Sequence, residues 1–595
     1  MSIEKRKERS SWRRIAWRLV LVMFACGLVT NCALCERGAS GVDAANSSEA
    51  FAKKIPASAE LAVFVGDWKS LRDSITATER QLGGEFPIEA GLAEIKRMLG
   101  IDPRDIEALR LKGIKTEAGA AVVQIDGQWL IYIPTEKSSV FEALVMGLGQ
   151  KRFNAVEKVV TKEIGGKMVS FLLDKSAKPE AGQQNPMLTA SNVVISWTII
   201  DGVVVLYPGK TLLGNSKDPE IVLGSVLRLT AETSMFALPS FETLRSALGS
   251  RYPIFGLYDV VGVLKKESAA SKDPVEVEAL QKMSTQFLHA GVGLQVTDQK
   301  VDVEALALAT PEAAKRFKAS SLAQSEFGLE GALSDKNALL IKLAMDPVVF
   351  FNQMRADMRE DERKLFDATL AELKAQRKVD VAGELLPTLD GNLVVTLNGV
   401  DRNGIAKAFL MGSQDVLSIM GALDLTVSFG VKDAKALNNV LGGVQEAASG
   451  FISKEDSDGL TLYRVKPLGG GAQAKPLLSA AVGAKQLVLW PGKVDEKVGM
   501  TSAKLASSTR SVAASKPLGN SILSERSRSG LVVDVPLLSS MLSDVGGGQA
   551  AQLLSMLKPF SGWFLTGKAT DKGIAANLEL LFVAKPVKGG GDDSP

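Results

Sequence analysis

The sequence predicts an α+β fold built from two tandem duplicated lobes, each a mainly antiparallel sheet with packed helices. Three observations predict it. VVVLYPGK (Val203–Lys210) returns as QLVLWPGK (Gln486–Lys493), 283 positions later. Four further pairs of segments follow in the same order, so that all five pairs share offsets of 272 to 283. Short apolar runs with turn signals alternate irregularly with longer helical stretches, which is an α+β pattern and not a βαβ one. The expected organisation is an export and processing region at 1–44, a first repeat at 55–310, a polar linker at 311–334, a second repeat at 335–585 and a disordered tail at 586–595.

One unit reads as follows. ELAVFVGDWKSLRDSI (Glu60–Ile75) is a buried strand, an aspartate and a helix start; ALLIKLAMDPVVFFNQM (Ala338–Met354) repeats that plan. A helical region is expected over about 68–110 in the first copy. In the second copy a clearer helical region is expected over Phe350–Lys378, where Met354, Met358, Leu365, Leu370 and Leu373 approximate a helical stripe. AVVQIDG (Ala121–Gly127), answered by LVVTLNG (Leu393–Gly399), opens a hairpin whose turn is Asp126-Gly127. A second helix is expected at Ser139–Leu148, and at Asp433–Val444 in the second copy. After a variable insert come two strands that end at the Pro-Gly turn, with the glycine expected at positive φ. YPIFGLYDVVGVLKK, around Asp259, pairs with SGLVVDVPLLSSML, around Asp534. A final hairpin around Asp298 pairs with one around Asp571. Lys175–Pro186 and Leu468–Pro476 read as flexible inserts.

A chain of 595 residues exceeds one domain. With 46% hydrophobic and 23% charged residues it is globular, and 6% aromatics is too few for a stacking platform on sugars or single-stranded nucleic acid. The formal charge of +3 is misleading. Residues 1–31 hold seven basic and two acidic side chains, a local +5, which leaves the remainder at −2. A body so close to neutral has no footprint for nucleic acid.

The N-terminus reads as an export signal: a basic head over 1–18, then the uncharged LVLVMFACGLVT (Leu19–Thr30). The uncharged run to Leu34 falls short of the roughly 20 residues that a membrane span needs. All three cysteines, Cys26, Cys32 and Cys35, sit at this boundary. LVTNC resembles a bacterial lipobox with Cys32 as the lipidation candidate, although Asn31 departs from the small residue usual there. Cleavage near Val42-Asp43-Ala44 and a retained signal anchor are the alternatives. In each case the folded body lies outside the cytoplasm, and the membrane is met through a lipid anchor or signal anchor. The absence of later cysteines removes any disulfide framework.

Little chemistry is encoded openly. Any Ser-His-Asp triad must run through His289, the single histidine, placed just before a strand. No multi-histidine or cysteine metal site can form in the body, and no cofactor is expected. Asp67, Asp259, Asp346 and Asp534 each follow an apolar run and precede a helix. Carboxylates there can work in acid/base pairs or hold a divalent cation. They are also what a helix N-cap requires, and capping is the preferred reading. PGKT (Pro208–Thr211) fails as a phosphate loop because Val204 stands where the first glycine must be. Runs such as VVVLY and LVVDV suit strands covered on both faces, or the wall of a lipid-sized cavity between the lobes.

IPASAELAVFVGDWKSLRDSI (Ile55–Ile75) and LLPTLDGNLVVTLNGVD (Leu385–Asp401) carry a resemblance. An export signal, a strand, Asp and a helix, followed by a GNLVVTL strand, resemble bacterial envelope proteins that contain a domain of unknown function. That resemblance implies a bacterial source and no activity, substrate or catalytic residue. The function expected is that of a non-enzymatic exported envelope lipoprotein with a structural or interaction role. It would be periplasmic and tethered to the outer membrane, which Ala33 after Cys32 suits, and its partners would be other envelope proteins. The rival is a carrier that holds a lipid or other apolar ligand between the lobes; a hydrolase using the strand-end aspartates comes third.

Overall fold

The computed structural model describes residues 48–82, 96, 102, 104–152, 155–175, 188–189, 191–249, 251–321, 338–401, 423–467, 475–491, 529–542 and 558–583. The export region with Cys32, most of both inserts, the second half of the linker and the tail lie outside them. The chain divides into two compact units between Ala313 and Ala314, inside the helix Pro311–Ser320. Both are α+β, and every strand pairing given below is antiparallel.

The first unit has ten described strands: β1 Leu61–Val65, β2 Ala120–Ile125, β3 Gln128–Pro134, β4 Ala155–Ile164, β5 Lys167–Asp174, β6 Val193–Ile200, β7 Val203–Pro208, β8 Ile254–Tyr258, β9 Phe287–Val296 and β10 Lys300–Ala309. Their order is β4-β5-β6-β7-β3-β2-β1-β8-β9-β10. The second has β11 Leu339–Ala344, β12 Leu389–Val400, β13 Leu423–Val431, β14 Ile452–Ser457, β15 Leu460–Val465, β16 Leu478–Val482, β17 Gln486–Pro491, β18 Ser529–Asp534, β19 Phe560–Thr570 and β20 Gly573–Phe582. Their order is β14-β15-β16-β17-β13-β12-β11-β18-β19-β20, the same arrangement strand for strand.

Local chemistry explains the turns. Asp126-Gly127, Asp201-Gly202 and Asp458-Gly459 all have both residues at positive φ, between 48° and 79°. That is the type I′ geometry that two-residue hairpins need, and Asp-Gly adopts it with least strain. The Pro-Gly segment differs from expectation. Pro208 is the last paired residue of β7, and Gly209 has φ −70°, not positive. Glycine is required there by proximity: a Cβ would lie 2.0 Å from the carbonyl oxygen of Val193.

In the first unit the helical region expected over 68–110 contains, among the described residues, α1 (Trp68–Leu82), a helical Lys96 and the short helix Ile106–Leu111. In the second unit, the helical region expected over 350–378 is made of two helices, α7 (Pro347–Asp357) and α8 (Glu360–Arg377). Met358 and Arg359 are extended, with ψ 148° and 156°. Glu360, Asp361 and Glu362 follow at once, and three acids favour a new N-terminus over a helix interior. The Arg359 N–H donates to Glu362 Oε2 at 3.3 Å, which closes the cap. The longer helices among the other described residues are α2 Ser138–Arg152, α3 Pro219–Leu227, α4 Val260–Ala270, α5 Pro274–Ser284, α6 Pro311–Ser320, α9 Ala434–Ala447 and α10 Val535–Leu542. The hairpins β4–β5 and β14–β15 fall where an insert was expected. β14, ISKEDS, is polar and largely exposed, and it pairs only with β15 among the described strands. That is how edge strands are kept from aggregating.

The first unit's core is aromatic. Phe64 of β1 stacks on Phe255 of β8 with centroids 5.7 Å apart, and Phe241 tilts onto both. Tyr132, Tyr207, Phe171 and Trp197 are also fully buried. In the second unit, Leu437 of α9 packs on Val431, Tyr463, Val482 and Leu487.

Candidate functional site

The four strand-end aspartates act locally. Asp67 Oδ1 accepts from the Ser70 N–H and Oδ2 from the Ser70 hydroxyl, both at 2.6 Å. Asp259 Oδ1 accepts from the Gly262 N–H at 2.8 Å, and Asp534 Oδ1 from the Leu537 N–H at 3.0 Å. Asp346 Oδ1 accepts from the N–H groups of Val348 and Val349, each at 3.0 Å, with Pro347 opening α7. This is capping geometry. The sheet also keeps the members of each unit apart. β1 and β8 run antiparallel, with Leu61 opposite Tyr258 and Val65 opposite Ile254, so Asp67 and Asp259 stand beyond opposite ends of the pair. Asp346 and Asp534 are separated in the same way by β11 and β18. Each pair is thus separated by more than a strand length, roughly 17 Å for five residues, too far for shared proton transfer or one cation.

His289 lies inside β9, not before it. Its Nδ1 is 2.8 Å from the hydroxyl of Ser240. Tyr258 pairs with Ala290, so Asp259 stands one step further along, opposite His289. Burial lowers the basicity of the imidazole and the Asp259 charge opposes that effect. A serine, the histidine and an aspartate therefore meet. Yet Asp259 is committed to Gly262, no hydrogen bond joins it to His289, and Ser240 is buried. A triad needs the carboxylate on the second ring nitrogen and an accessible hydroxyl. Packing explains the cluster better. Gly291 and Gly293 share the face of His289; a Cβ on Gly291 would lie 2.9 Å from Leu244 and Leu248, and one on Gly293 2.3 Å from the Tyr252 ring. The segment Pro239–Gly249 lies close against this face of β9, and the histidine fixes its start.

A polar cluster in the second unit is the more unusual feature. The matched segments VVVLYP and QLVLWP set Val205 beside Val488, and strand pairing carries that equivalence across each sheet. In the first unit the row runs Thr198, Val205, Tyr132, Ala121, Phe64, Phe255, Gly293. In the second it runs Ala481, Val488, Ser428, Val394, Lys342, Gly530, Thr566. Asp259 follows Phe255 by the same four positions as Asp534 follows Gly530. Lys342 thus occupies the place of Phe64, one residue out of step with the alignment by sequence alone; the extra residue, Met345, lies between β11 and Asp346.

Two residues along the same strands, Leu130 and Val123 answer to Thr426 and Thr396. Lys342 is only 2% exposed, and Thr396, Thr426 and Ser428 are equally deep. Asp390 joins them from a bulge in β12. Its carboxylate lies over Gly430, where a Cβ would stand 2.0 Å from Oδ1. Asp390 accepts from the Asn392 N–H at 2.7 Å. Burial raises the Asp390 carboxyl above the usual range, while Lys432 and Lys342 pull it back. The signal was present in the sequence as polar alternation, in LLIKLA, LVVTL and LTVSF, against the unbroken LAVFV of the first unit.

Among the described residues no group of three or more His, Cys, Asp or Glu side chains is placed to hold a metal ion, and no helix is long and apolar enough to cross a membrane. No protein-family model and no curated protein matches this chain. Among solved structures, crystal form III of TP0453 is similar at 10% identity and TM-score 0.24, covering 44% of this chain and 83% of that one. Crystal form I of TP0453 gives 10% identity and TM-score 0.21, covering 42% and 76%.

Proposed function

We propose that this protein is an exported bacterial envelope lipoprotein, anchored through Cys32, whose body is a non-enzymatic scaffold made by tandem duplication. The observation that carries the reading is the placement of cysteine: three in positions 26–35, directly after a basic head and an apolar run, and none in the 560 residues that follow. The identical order of ten strands in each unit supports duplication. The commitment of all four strand-end aspartates to helix caps removes the strongest candidates for catalysis. Tethering at the periplasmic face of the outer membrane, with other envelope proteins as partners, belongs to the same proposal.

Mass spectrometry of the mature protein from its native envelope tests this. The expected N-terminal residue is an acylated Cys32, and Cys32→Ala is expected to move the protein from the membrane to the soluble fraction. An unmodified N-terminus near Ala44 would remove the anchor and leave a soluble exported protein.

A further inference from the structure

We propose that the loop at residues 230–239 of the first unit docks on the lipid surface to which the chain is tethered, inserting Phe236 and its apolar neighbours among the headgroups. The inference rests on the anchored reading above and adds where the body meets the membrane. The chain that leads from Cys32 enters the fold beside this loop. Phe51, Ala52 and Ile55 of the entering segment are fully buried. The Met235 N–H donates to the Ile55 carbonyl at 2.7 Å, and the Ala57 N–H to the Thr233 carbonyl at 2.9 Å, so the two segments lie side by side.

The loop presents an apolar tip on a fixed base. Ser234 and Met235 are fully buried and hold it in place, while Phe236, Ala237 and Pro239 are exposed and Leu238 is half-buried. Phe236 keeps 37% of its surface open. The backbone of the tip is already bonded within the fold. The Ala237 N–H donates to the Ser234 carbonyl at 3.1 Å and the Leu238 N–H to the Met235 carbonyl at 3.0 Å, and Pro239 has no N–H to satisfy. Entry into a medium poorer in water therefore strips few hydrogen bonds from the loop. Lys53 Nζ stands 4.8 Å from the centre of the Phe236 ring. A lysine beside an inserted ring can keep its ammonium at the level of the headgroups.

The size and charge of the patch select its occupant. A tip formed by residues 236–239 falls far short of the roughly 800 Å² that each partner buries in a stable protein complex. The cations around it are matched: Lys53 by Glu49 at 2.9 Å, Lys54 by Asp201 at 2.8 Å and Arg245 by Glu242 at 2.8 Å. That leaves no excess of positive charge to seek an anionic headgroup, so the surface offers contact through apolar atoms. One phenylalanine and its neighbours bind a bilayer weakly by themselves. Fifteen residues, 33–47, separate Cys32 from Ser48, and at full extension they span at most about 55 Å. The tether thus keeps the loop within reach of the surface, where weak contact becomes effective.

The test uses the full mature chain, with a hexahistidine tag in place of Cys32, on phosphatidylcholine vesicles that carry a nickel-chelating lipid. The tag supplies the tether, so the outcome is independent of whether Cys32 is acylated in the cell. In Phe236→Trp, phosphatidylcholine with brominated acyl chains is expected to quench the added tryptophan emission, to a degree unchanged when anionic lipid is included. Phe236→Ser is expected to lower the partition of the untethered chain onto plain phosphatidylcholine vesicles about tenfold, the effect of losing one large apolar side chain from the contact. Absence of quenching, quenching only with anionic lipid, or partition unchanged in Phe236→Ser overturns the proposal. Such a failure with Cys32 found acylated in the native envelope would strike the docking loop and leave the anchor standing.

Discussion

Phe64 and Lys342 hold the same position in two sheets whose ten strands follow one order. In the first unit, that position is the centre of a three-ring aromatic cluster. In the second, it is a buried ammonium beside hydroxyls. One backbone plan thus tolerates opposite fillings. What the two units share is what sets the plan: the strand order, the aspartate caps and the Pro-Gly strand end. What they do not share is the middle of the face those elements enclose. Architecture here is written at element ends, and the difference between the units is written between them.

The largest effect is expected from forcing one filling into the other unit. Phe64→Lys is predicted to destabilise the first unit by about 4 kcal/mol or more, because a buried charge replaces a packed ring with no carboxylate arranged to meet it. Lys342→Phe is predicted to be much milder, since it replaces a buried charge by an apolar ring. Urea unfolding of both variants measures this, and equal losses would break the comparison.

Next in size is Gly209→Ala, predicted to cost about 2 kcal/mol through its collision with the Val193 carbonyl. A smaller and matched loss, about 1 kcal/mol each, is expected from Asp259→Ala and Asp534→Ala, because both caps satisfy one N–H in the same way. Circular dichroism melts would show it; a large loss in one unit only would mean that its aspartate does more than cap.

The smallest effect is one of sign. In the first unit, hydrogen bonds from Arg104 hold Asp102 down to about 2. Its contribution is present above the unfolded value of about 3.9 and is lost as pH falls toward 2. In the second, burial raises Asp390. Its contribution is full below about 3.9 and is lost as pH rises through the raised folded value. Asp102→Asn should therefore weaken the protein at neutral pH and matter progressively less in acid. Asp390→Asn should flatten a pH dependence of opposite slope. Urea midpoints between pH 3 and 7 would separate them.

Much of the fold was legible in the sequence because its signals are local. An Asp-Gly pair fixes a turn by its own φ angles, and an aspartate before a helix fixes a cap with its own oxygen. The polar strands β4 and β14 were not legible, because an edge strand has no buried stripe to announce it. The break at Met358-Arg359 was missed because the apolar spacing continues across it; the three acids after it were the better signal. Gly209 was misjudged because its requirement is imposed by Val193, which is close in space and not in sequence. The cluster around Lys342 was the least legible. Each of its residues is an ordinary member of an alternating strand until pairing shows which residues of the other unit they replace.

The strand order also constrains how such a chain is assembled. β1 is central, held between β2 and β8, so that Leu61 waits for Tyr258 before its second edge is closed. β11 is placed likewise between β12 and β18. A chain emerging N-terminus first would therefore deliver the middle of each sheet long before one of its two flanks. Contacts so distant in sequence slow folding and prolong the exposure of open strand edges. For such a chain, the dangerous interval is the time between emergence of the central strand and closure of its second edge, and a holding chaperone would have its greatest effect there.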